Sequence, residues 1–192
     1  MGAWTLHEAC RQLREWKTRG LSVGHMAVNV SALEFRDHRL LDSLQAALTD
    51  SGISPSELEV EITESVLMAE TETSLRIMAR LHEIGVGIAI DDFGTGYSSL
   101  SLLQRFPIEC IKIDRSFVND LVSDEGTKNI VKTIIAMATS MGADIVAEGI
   151  ETKEQLAVLS ALDCHKAQGY LISKPVNVAD IPAVVRQIQD PD

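Results

Sequence analysis

Seven polar residues stand at or just after the C-terminal ends of short apolar runs along the chain, and their types suit catalysis at a phosphate. They are Asn29, Glu61, Asp91, Asp92, Lys112, Glu148 and Gln168. Carboxylate and amide oxygens are hard ligands, which suit Mg²⁺ or Mn²⁺ rather than Zn²⁺. Several carboxylates could bind two such ions, the arrangement that activates water and stabilises the leaving oxygen in phosphodiester hydrolysis. Lys112 could then act as a base, orient the water or stabilise phosphate charge.

At each of these positions taken alone, a structural role is an alternative to a functional one. A single acidic residue after a strand is more often a helix N-cap or part of a solvated turn, and Asn29 and Gln168 alone are weak signals. The agreement of six strand ends favours function. Asp91 and Asp92 add to it, because adjacent carboxylates repel each other unless a cation or a donor is near.

The residues after Asp92 form a glycine-containing segment, Phe93, Gly94, Thr95 and Gly96, followed by Tyr97-Ser98-Ser99. Two glycines at alternate positions predict a mobile loop over the site.

The elements that must position these residues are short apolar, β-branched runs alternating with longer segments of helical period. The six predicted strands are Met26–Val30, Leu58–Ile62, Val86–Ile90, Cys110–Ile113, Asp144–Ala147 and Lys166–Gln168. This alternation predicts a parallel sheet, and an open doubly wound sheet and a closed barrel are both compatible with it. The absence of a G-x-G-x-x-G after the first strand, and polar residues at one strand end after another, favour the barrel.

The predicted helices include Trp4–Trp16, Glu72–Ile84, Asp124–Met141 and a last helix running to about Ile188. The third of these should bury a stripe of apolar residues, with Val131 and Ile135 beside it. The stripe consists of Ile130, Ile134, Ala138 and Met141. Left-handed caps are predicted where a glycine follows a helix. These glycines are Gly52, Gly85 and Gly142.

Composition limits the possible functions. The chain has 192 residues, enough for one domain, and its net charge of -11 argues against broad binding to nucleic acid or anionic membrane. A small anionic ligand stays possible if a metal ion supplies positive charge. The three cysteines are far apart and odd in number, which predicts buried thiols and a reducing, cytosolic setting. No apolar run is long enough to span a membrane.

Six ordered strings make the chain similar to a known family. They are NVS (29–31), EITE (61–64), DDFGTGYSSL (91–100), IKIDRSF (111–117), AEGIET (147–152) and QGYLISKP (168–175). With these strings the sequence resembles the EAL family from Trp4 onward. The resemblance implies a TIM-like (β/α) barrel that hydrolyses cyclic di-GMP to linear pGpG with Mg²⁺ or Mn²⁺, two ions being expected.

The resemblance also implies roles for individual residues. Metal ligands are matched by Asn29, Glu61, Asp91 and Glu148, and a ligand of the second metal by Asp92. Lys112 matches the residue proposed to activate water, and Gln168 a residue near the metal-bound water; with Glu148 they form the predicted catalytic set. Glu64 matches the residue that anchors the loop containing Phe93, Gly94, Thr95 and Gly96, and Glu151 matches a further acidic position of the site.

The sequence departs from the family at one point, because it contains neither the tripeptide E-A-L nor its following Arg. In the family these lie in the first two strands. We therefore expect residues 1–192 to form a single partial EAL domain with about six of eight strands. As a fragment of a bacterial cytoplasmic protein, it should be weakly active or inactive alone, and should dimerise, swap or aggregate. The resemblance allows a fused sensor or GGDEF domain in the parent protein.

A second interpretation is a catalytically inactive module that binds cyclic di-GMP or another protein. Metal-dependent turnover would distinguish the enzyme from this module, and nucleotide binding without turnover would favour the module.

Overall fold

The computed structural model describes residues 2–68, 72–96, 103 and 106–189. The chain divides into two compact units, Met1–Cys110 and Ile111–Asp192. The first contains α1 (Gly2–Thr18), β1 (Met26–Asn29), α2 (Ala32–Phe35), α3 (Arg39–Ser51), β2 (Leu58–Thr63), α4 (Glu64–Met68), α5 (Glu72–Ile84) and β3 (Gly87–Phe93). From Cys110 onward follow β4 (Cys110–Ile113), α6 (Arg115–Asp120), α7 (Glu125–Met141), β5 (Asp144–Ala147), α8 (Lys153–Ala161), β6 (Lys166–Ala167) and α9 (Ile181–Gln189).

Strands that follow one another in the chain are neighbours in each unit. In the first unit β1 pairs with β2 and β2 with β3, both in parallel. In the second unit the order is β4, β5, β6, and β5 pairs with β6 in parallel. The helices between them supply the crossovers that parallel strands require. All six predicted strands are therefore present, with changes at their ends.

The largest change is at β3, which was predicted to end at Ile90 and continues to Phe93. The physical reason is its neighbour: β2 extends to Thr63, and Thr63 pairs with Asp91. β2 therefore offers β3 a pairing partner beyond Ile90. Asp91 and Asp92 consequently lie within the end of the strand and not after it.

Apolar residues on both faces of the strands form the core. Ile88 and Ile90 on one face of β3 and Ala89 on the other are at most 1% exposed, as expected for parallel strands that are covered on both sides. In the first unit α1 packs against α3. Leu6 and Leu13 on α1 are buried at helical spacing, so each of these helices directs one apolar face inward.

The helix predictions hold in most places and are wrong for two residues of α7. The Glu72–Ile84 helix has the predicted bounds, and the three glycine caps have φ of 67°, 89° and 72° at Gly52, Gly85 and Gly142. In α7 the buried residues are Val131, Ile134, Ile135 and Ala138. Met141, predicted to be buried, is only half-buried. Ile130, from the same predicted stripe, is 48% exposed. It lies about a quarter turn from the centre of that buried arc.

The three cysteines are buried, as predicted, and none forms a disulfide. Burial raises the pKa of the Cys10 and Cys164 thiols. None of the helices in the described ranges is both long and apolar enough to cross a membrane.

The start of α7 allows a test by pH. Asp124 caps this helix by accepting hydrogen bonds from the amides of Gly126 and Thr127, and the Thr127 side chain and amide hold the pKa of this carboxyl below its ordinary value. A carboxyl with a lowered folded-state pKa stabilises the fold above its unfolded pKa of about 3.9, and this contribution is lost as pH falls through the folded value.

We therefore expect Asp124→Ala to lower Tm at neutral pH and to flatten the fall of Tm in acid. Asp124→Asn is the matched control, because asparagine caps helices well but carries no charge. It should keep Tm at neutral pH and flatten only the acid limb. Thermal unfolding followed by circular dichroism across pH measures both, and an unchanged acid limb in both variants would contradict the assignment.

Candidate active site

The end of the sheet in the first unit presents an amide and two carboxylates on one face. Asn29 and Glu61 are register partners on β1 and β2. Glu61 in turn pairs with Ala89, while Asp91 follows two residues later on β3. Because side chains alternate along a strand, Asn29, Glu61 and Asp91 share the same side of the sheet. Glu61 is only 7% exposed, so the carboxylate lies in the protein and not in solvent.

Asp91 and Asp92 form a close carboxylate pair at the end of β3. Each offers an oxygen within 4.8 Å of the other. The Asp92 amide donates to Asp91 Oδ1 at 3.1 Å, and Asp92 has φ of 53°. A non-glycine residue in the left-handed region carries backbone strain, and such strain is concentrated at functional sites. This turn lets two consecutive residues offer oxygens to one region, which suits a cation.

Glu64 binds the segment that follows Asp92 in the chain. It is the first residue of α4 and is 3% exposed. Its Oε2 accepts hydrogen bonds from the amides of Gly94 at 3.0 Å and Gly96 at 3.3 Å. A Cβ at Gly96 would lie 2.7 Å from Glu64 Oε1, which explains the glycine. Of the predicted mobile loop, the part up to Gly96 is bound in this way, and residues 97–100 lie outside the described residues.

Glu64→Ala should therefore release this segment. Removing a charged acceptor from two amides costs about 1–3 kcal/mol, so amide hydrogen exchange at Gly94 and Gly96 should become roughly tenfold faster. Glu72→Ala, at the exposed start of α5, is the control and should leave both amides unchanged. Unchanged exchange in Glu64→Ala would show that the two hydrogen bonds do not hold the segment.

In the second unit, Lys112 and Glu148 form a buried ion pair. Lys112 Nζ lies 2.7 Å from Glu148 Oε1, and the side chains are 7% and 17% exposed. They come from adjacent strand ends, since the Glu148 amide donates to the Ile113 carbonyl at 3.1 Å. Burial strengthens the attraction, because less water screens it. The sequence predicted both residues for the site but did not pair them.

Gln168 lies beside the end of β5, next to Glu148. Its amide donates to the Ala147 carbonyl at 2.8 Å, and its carbonyl accepts from the Ile150 amide at 3.1 Å. The backbone of Gln168 is therefore fixed beside Glu148, while its side chain is exposed. Glu151 is also exposed.

In the first unit, Phe93 is buried and Thr95 is exposed. The Thr95 hydroxyl donates to the Asp92 carbonyl at 2.9 Å.

Gln155 is a buried polar residue that the sequence analysis did not single out. It is 7% exposed and bonds to the loop between Glu148 and α8. The signal that could have found it is Thr152-x-x-Gln155, a capping box at the start of α8.

The protein-family comparison gives a match to the EAL domain model over residues 1–175. The chain belongs to the EAL domain family. Among proteins of known name, this EAL domain is 44% identical to the bifunctional diguanylate cyclase/cyclic di-GMP phosphodiesterase MucR of Pseudomonas aeruginosa, over 96% of this chain and 27% of MucR. The chain thus spans about a quarter of the length of this relative.

Solved structures of EAL domains share the fold. The PaMucR phosphodiesterase in complex with c-di-GMP has a TM-score of 0.90 and 44% identity, covering 94% of this chain and 73% of that one. Klebsiella pneumoniae BlrP1 in a manganese/cy-diGMP complex has a TM-score of 0.78 and 30% identity, covering 91% of this chain and 44% of that one. The TIM-like EAL fold predicted from the sequence is confirmed.

Proposed function

We propose that this EAL domain belongs to a phosphodiesterase that hydrolyses cyclic di-GMP to linear pGpG. The observation that carries the proposal is the Lys112–Glu148 ion pair of 2.7 Å between adjacent strand ends. A structural domain has little need for a lysine and a glutamate buried together there, because taking both charges out of water is costly. The 44% identity to a named cyclic di-GMP phosphodiesterase supports the same conclusion.

The donor set of this chain fits divalent metal ions. Asn29, Glu61 and Asp91 share one side of the sheet, Asp92 adds a second carboxylate beside Asp91, and Glu148 is the acidic partner of Lys112. All these donors are oxygens, which suits Mg²⁺ or Mn²⁺. Bound ions would supply positive charge for the phosphate and activate water. The manganese complex of BlrP1 supports Mn²⁺ as the first ion to try.

We assign Lys112 the role of a hydrogen-bond donor in this reaction. Its ammonium faces a carboxylate at 2.7 Å, and a charged ammonium donates but does not accept. It would hold the attacking water and offset negative charge on the phosphate. In the same proposal Glu64 holds the segment Phe93–Gly96 in place, Gln168 lies near the attacking water and Glu151 contributes further negative charge.

We also propose that residues 1–192 form one partial domain that requires a further segment for full activity. The sequence contains no E-A-L, and in the family that Glu is a metal ligand. The MucR name includes a cyclase activity, which supports a fused GGDEF domain in the parent protein. Buried thiols that form no disulfide fit a bacterial cytoplasmic location. Exposed Trp4 and Leu33 support self-association of the isolated chain, which analytical ultracentrifugation would measure.

The experiment compares two proteins incubated with cyclic di-GMP and Mn²⁺. One is the 192-residue chain, and the other carries at its N-terminus the part of the MucR phosphodiesterase domain that precedes the matched region. We expect the extended protein to form pGpG and the short chain to form little or none. Glu61→Gln in the extended protein should abolish turnover, because it removes a carboxylate ligand. Binding of cyclic di-GMP without pGpG in both proteins would favour the inactive binding module.

A further inference from the structure

Gln155 is the third residue of α8, and its side chain is unusually placed for a helix start. A polar residue in the first turn of a helix normally faces water. Gln155 is 7% exposed and lies among the buried polar residues of the second unit. A buried amide must be hydrogen-bonded to be tolerated, so its partners show what it connects.

Three hydrogen bonds satisfy the side chain. Gln155 Oε1 accepts from the amides of Glu151 at 2.8 Å and Thr152 at 3.0 Å. Gln155 Nε2 donates to the carbonyl of Val118 at 3.1 Å, a fully buried bond between residues 37 positions apart. The oxygen thus fixes the loop that follows β5, and the nitrogen fixes the helix that follows β4.

The capping box explains only part of this arrangement. A capping glutamine needs one bond to the backbone at the helix start, and the bond to Thr152 supplies it. The bond to Val118 and the burial are not required for capping. They join α6 to the loop after β5, and both segments lead to the ion pair. Lys112, on β4, is six residues before Val118, and Glu148, directly after β5, is three residues before Glu151.

The contacts therefore form a closed ring. The Lys112–Glu148 ion pair closes one side, and Gln155 closes the other by holding Val118 and Glu151 together. We propose that Gln155 is a positioning residue, which sets the separation of Lys112 and Glu148 by joining α6, the helix that follows the strand of Lys112, to the loop that begins at Glu148. The inference rests on the proposed function of that pair. Partners of this kind typically change activity or metal affinity by about 10- to 100-fold.

The test uses two matched variants of the 192-residue chain and of the extended protein. Gln155→Met keeps the length of the side chain and removes all three hydrogen bonds. Thr152→Ala removes the other half of the capping box, the hydroxyl that accepts a hydrogen bond from the backbone N–H of Gln155, and so weakens the helix start. It leaves the Gln155 side chain in place, and so reports the effect of a weaker helix start alone.

The direct readout is the accessibility of Lys112, which needs no activity. An amine-reactive acylating reagent, with sites quantified by mass spectrometry, should label Lys112 several-fold faster in Gln155→Met than in the parent. Labelling of Lys112 in Thr152→Ala should match the parent. In the extended protein, kcat should fall by about 10- to 100-fold in Gln155→Met with little change in KM.

Each outcome of the labelling experiment supports or overturns the role proposed for Gln155. Parent-like labelling of Lys112 in Gln155→Met overturns the proposal, because Gln155 is then only a cap. Equal labelling increases in both variants overturn it too, since general loosening would explain them. If Gln155→Met does not fold, Gln155→Glu, which keeps the acceptor and loses the donor to Val118, takes its place with the same readouts. Absence of turnover in every protein would count against the proposed function, while the labelling would still decide the role of Gln155.

Discussion

Replacing Lys112 with methionine is expected to lower the formation of pGpG by at least about 100-fold in the extended protein. Removing one positioned hydrogen-bond donor from the negative charge of a transition state costs about 10²- to 10³-fold, and Lys112 is the cation paired with Glu148 at 2.7 Å. Methionine keeps the apolar stem and removes the charge. KM should change little, because the loss falls on the transition state and not on binding. Initial rates of pGpG formation, measured by chromatography, give both constants.

Two further variants separate charge from packing. Lys128→Met alters an exposed lysine on α7, paired with Glu125 at 3.5 Å, and should leave turnover unchanged. Lys112→Arg keeps the charge, but the guanidinium cannot reproduce the position of a single ammonium, so activity should recover only in part. Turnover within about twofold of the parent in folded Lys112→Met, checked by its circular dichroism, would remove Lys112 from the mechanism.

Gly169→Ala should have the largest effect on stability. A Cβ at this position would lie 2.2 Å from the carbonyl oxygen and 2.3 Å from the nitrogen of Ile150. Both are backbone atoms, and they are held by the bonds of the Ile150 amide to the Gln168 carbonyl and of the Leu171 amide to the Ile150 carbonyl. Overpacking of this kind costs about 3 kcal/mol, because no side chain can move aside. The urea midpoint should fall accordingly, with the slope unchanged.

Two other glycines give a graded comparison. Gly24 is exposed, and a Cβ there would meet nothing within 4 Å, so Gly24→Ala should change the free energy of unfolding by less than about 0.5 kcal/mol. Gly142 has equal space but φ of 72°, so Gly142→Ala should cost about 1 kcal/mol in backbone strain. If Gly169→Ala were no worse than Gly142→Ala, the close approach to Ile150 would not be a constraint.

Much of the fold could be predicted because the local signals agree with the tertiary structure. Gly85 ends the Glu72–Ile84 helix with φ of 89°, and a glycine after an amphipathic run is visible in the sequence. The errors arose where a distant neighbour decides. The end of β3 depends on the length of β2, which supplies Thr63 as the partner of Asp91. The exposure of Ile130 depends on which side of α7 faces the core. The apolar residues of this helix cover more than one side, so the sequence alone does not say which side is buried.

The candidate site was predictable in residue type and less so in geometry. Because strand ends in a parallel sheet lie at one edge, Glu61, Asp91 and Glu148 could be chosen from their positions after apolar runs. The Lys112–Glu148 contact could not be chosen in this way, since pairing depends on side-chain directions. Gln155 was missed for a similar reason, because a capping signal says nothing about a partner 37 residues away.

The chain-order pairing of strands also bears on synthesis at the ribosome. Since β1, β2 and β3 are consecutive neighbours, Asn29, Glu61 and Asp91 leave the ribosome before Lys112 and Glu148 and can pair without them. Contacts between segments close in sequence form early and quickly. We expect the nascent chain to bring Asn29, Glu61 and Asp91 to one side of the sheet while the last strands are still being made, so that cotranslational folding, and not release from the ribosome, orders this part of the chain.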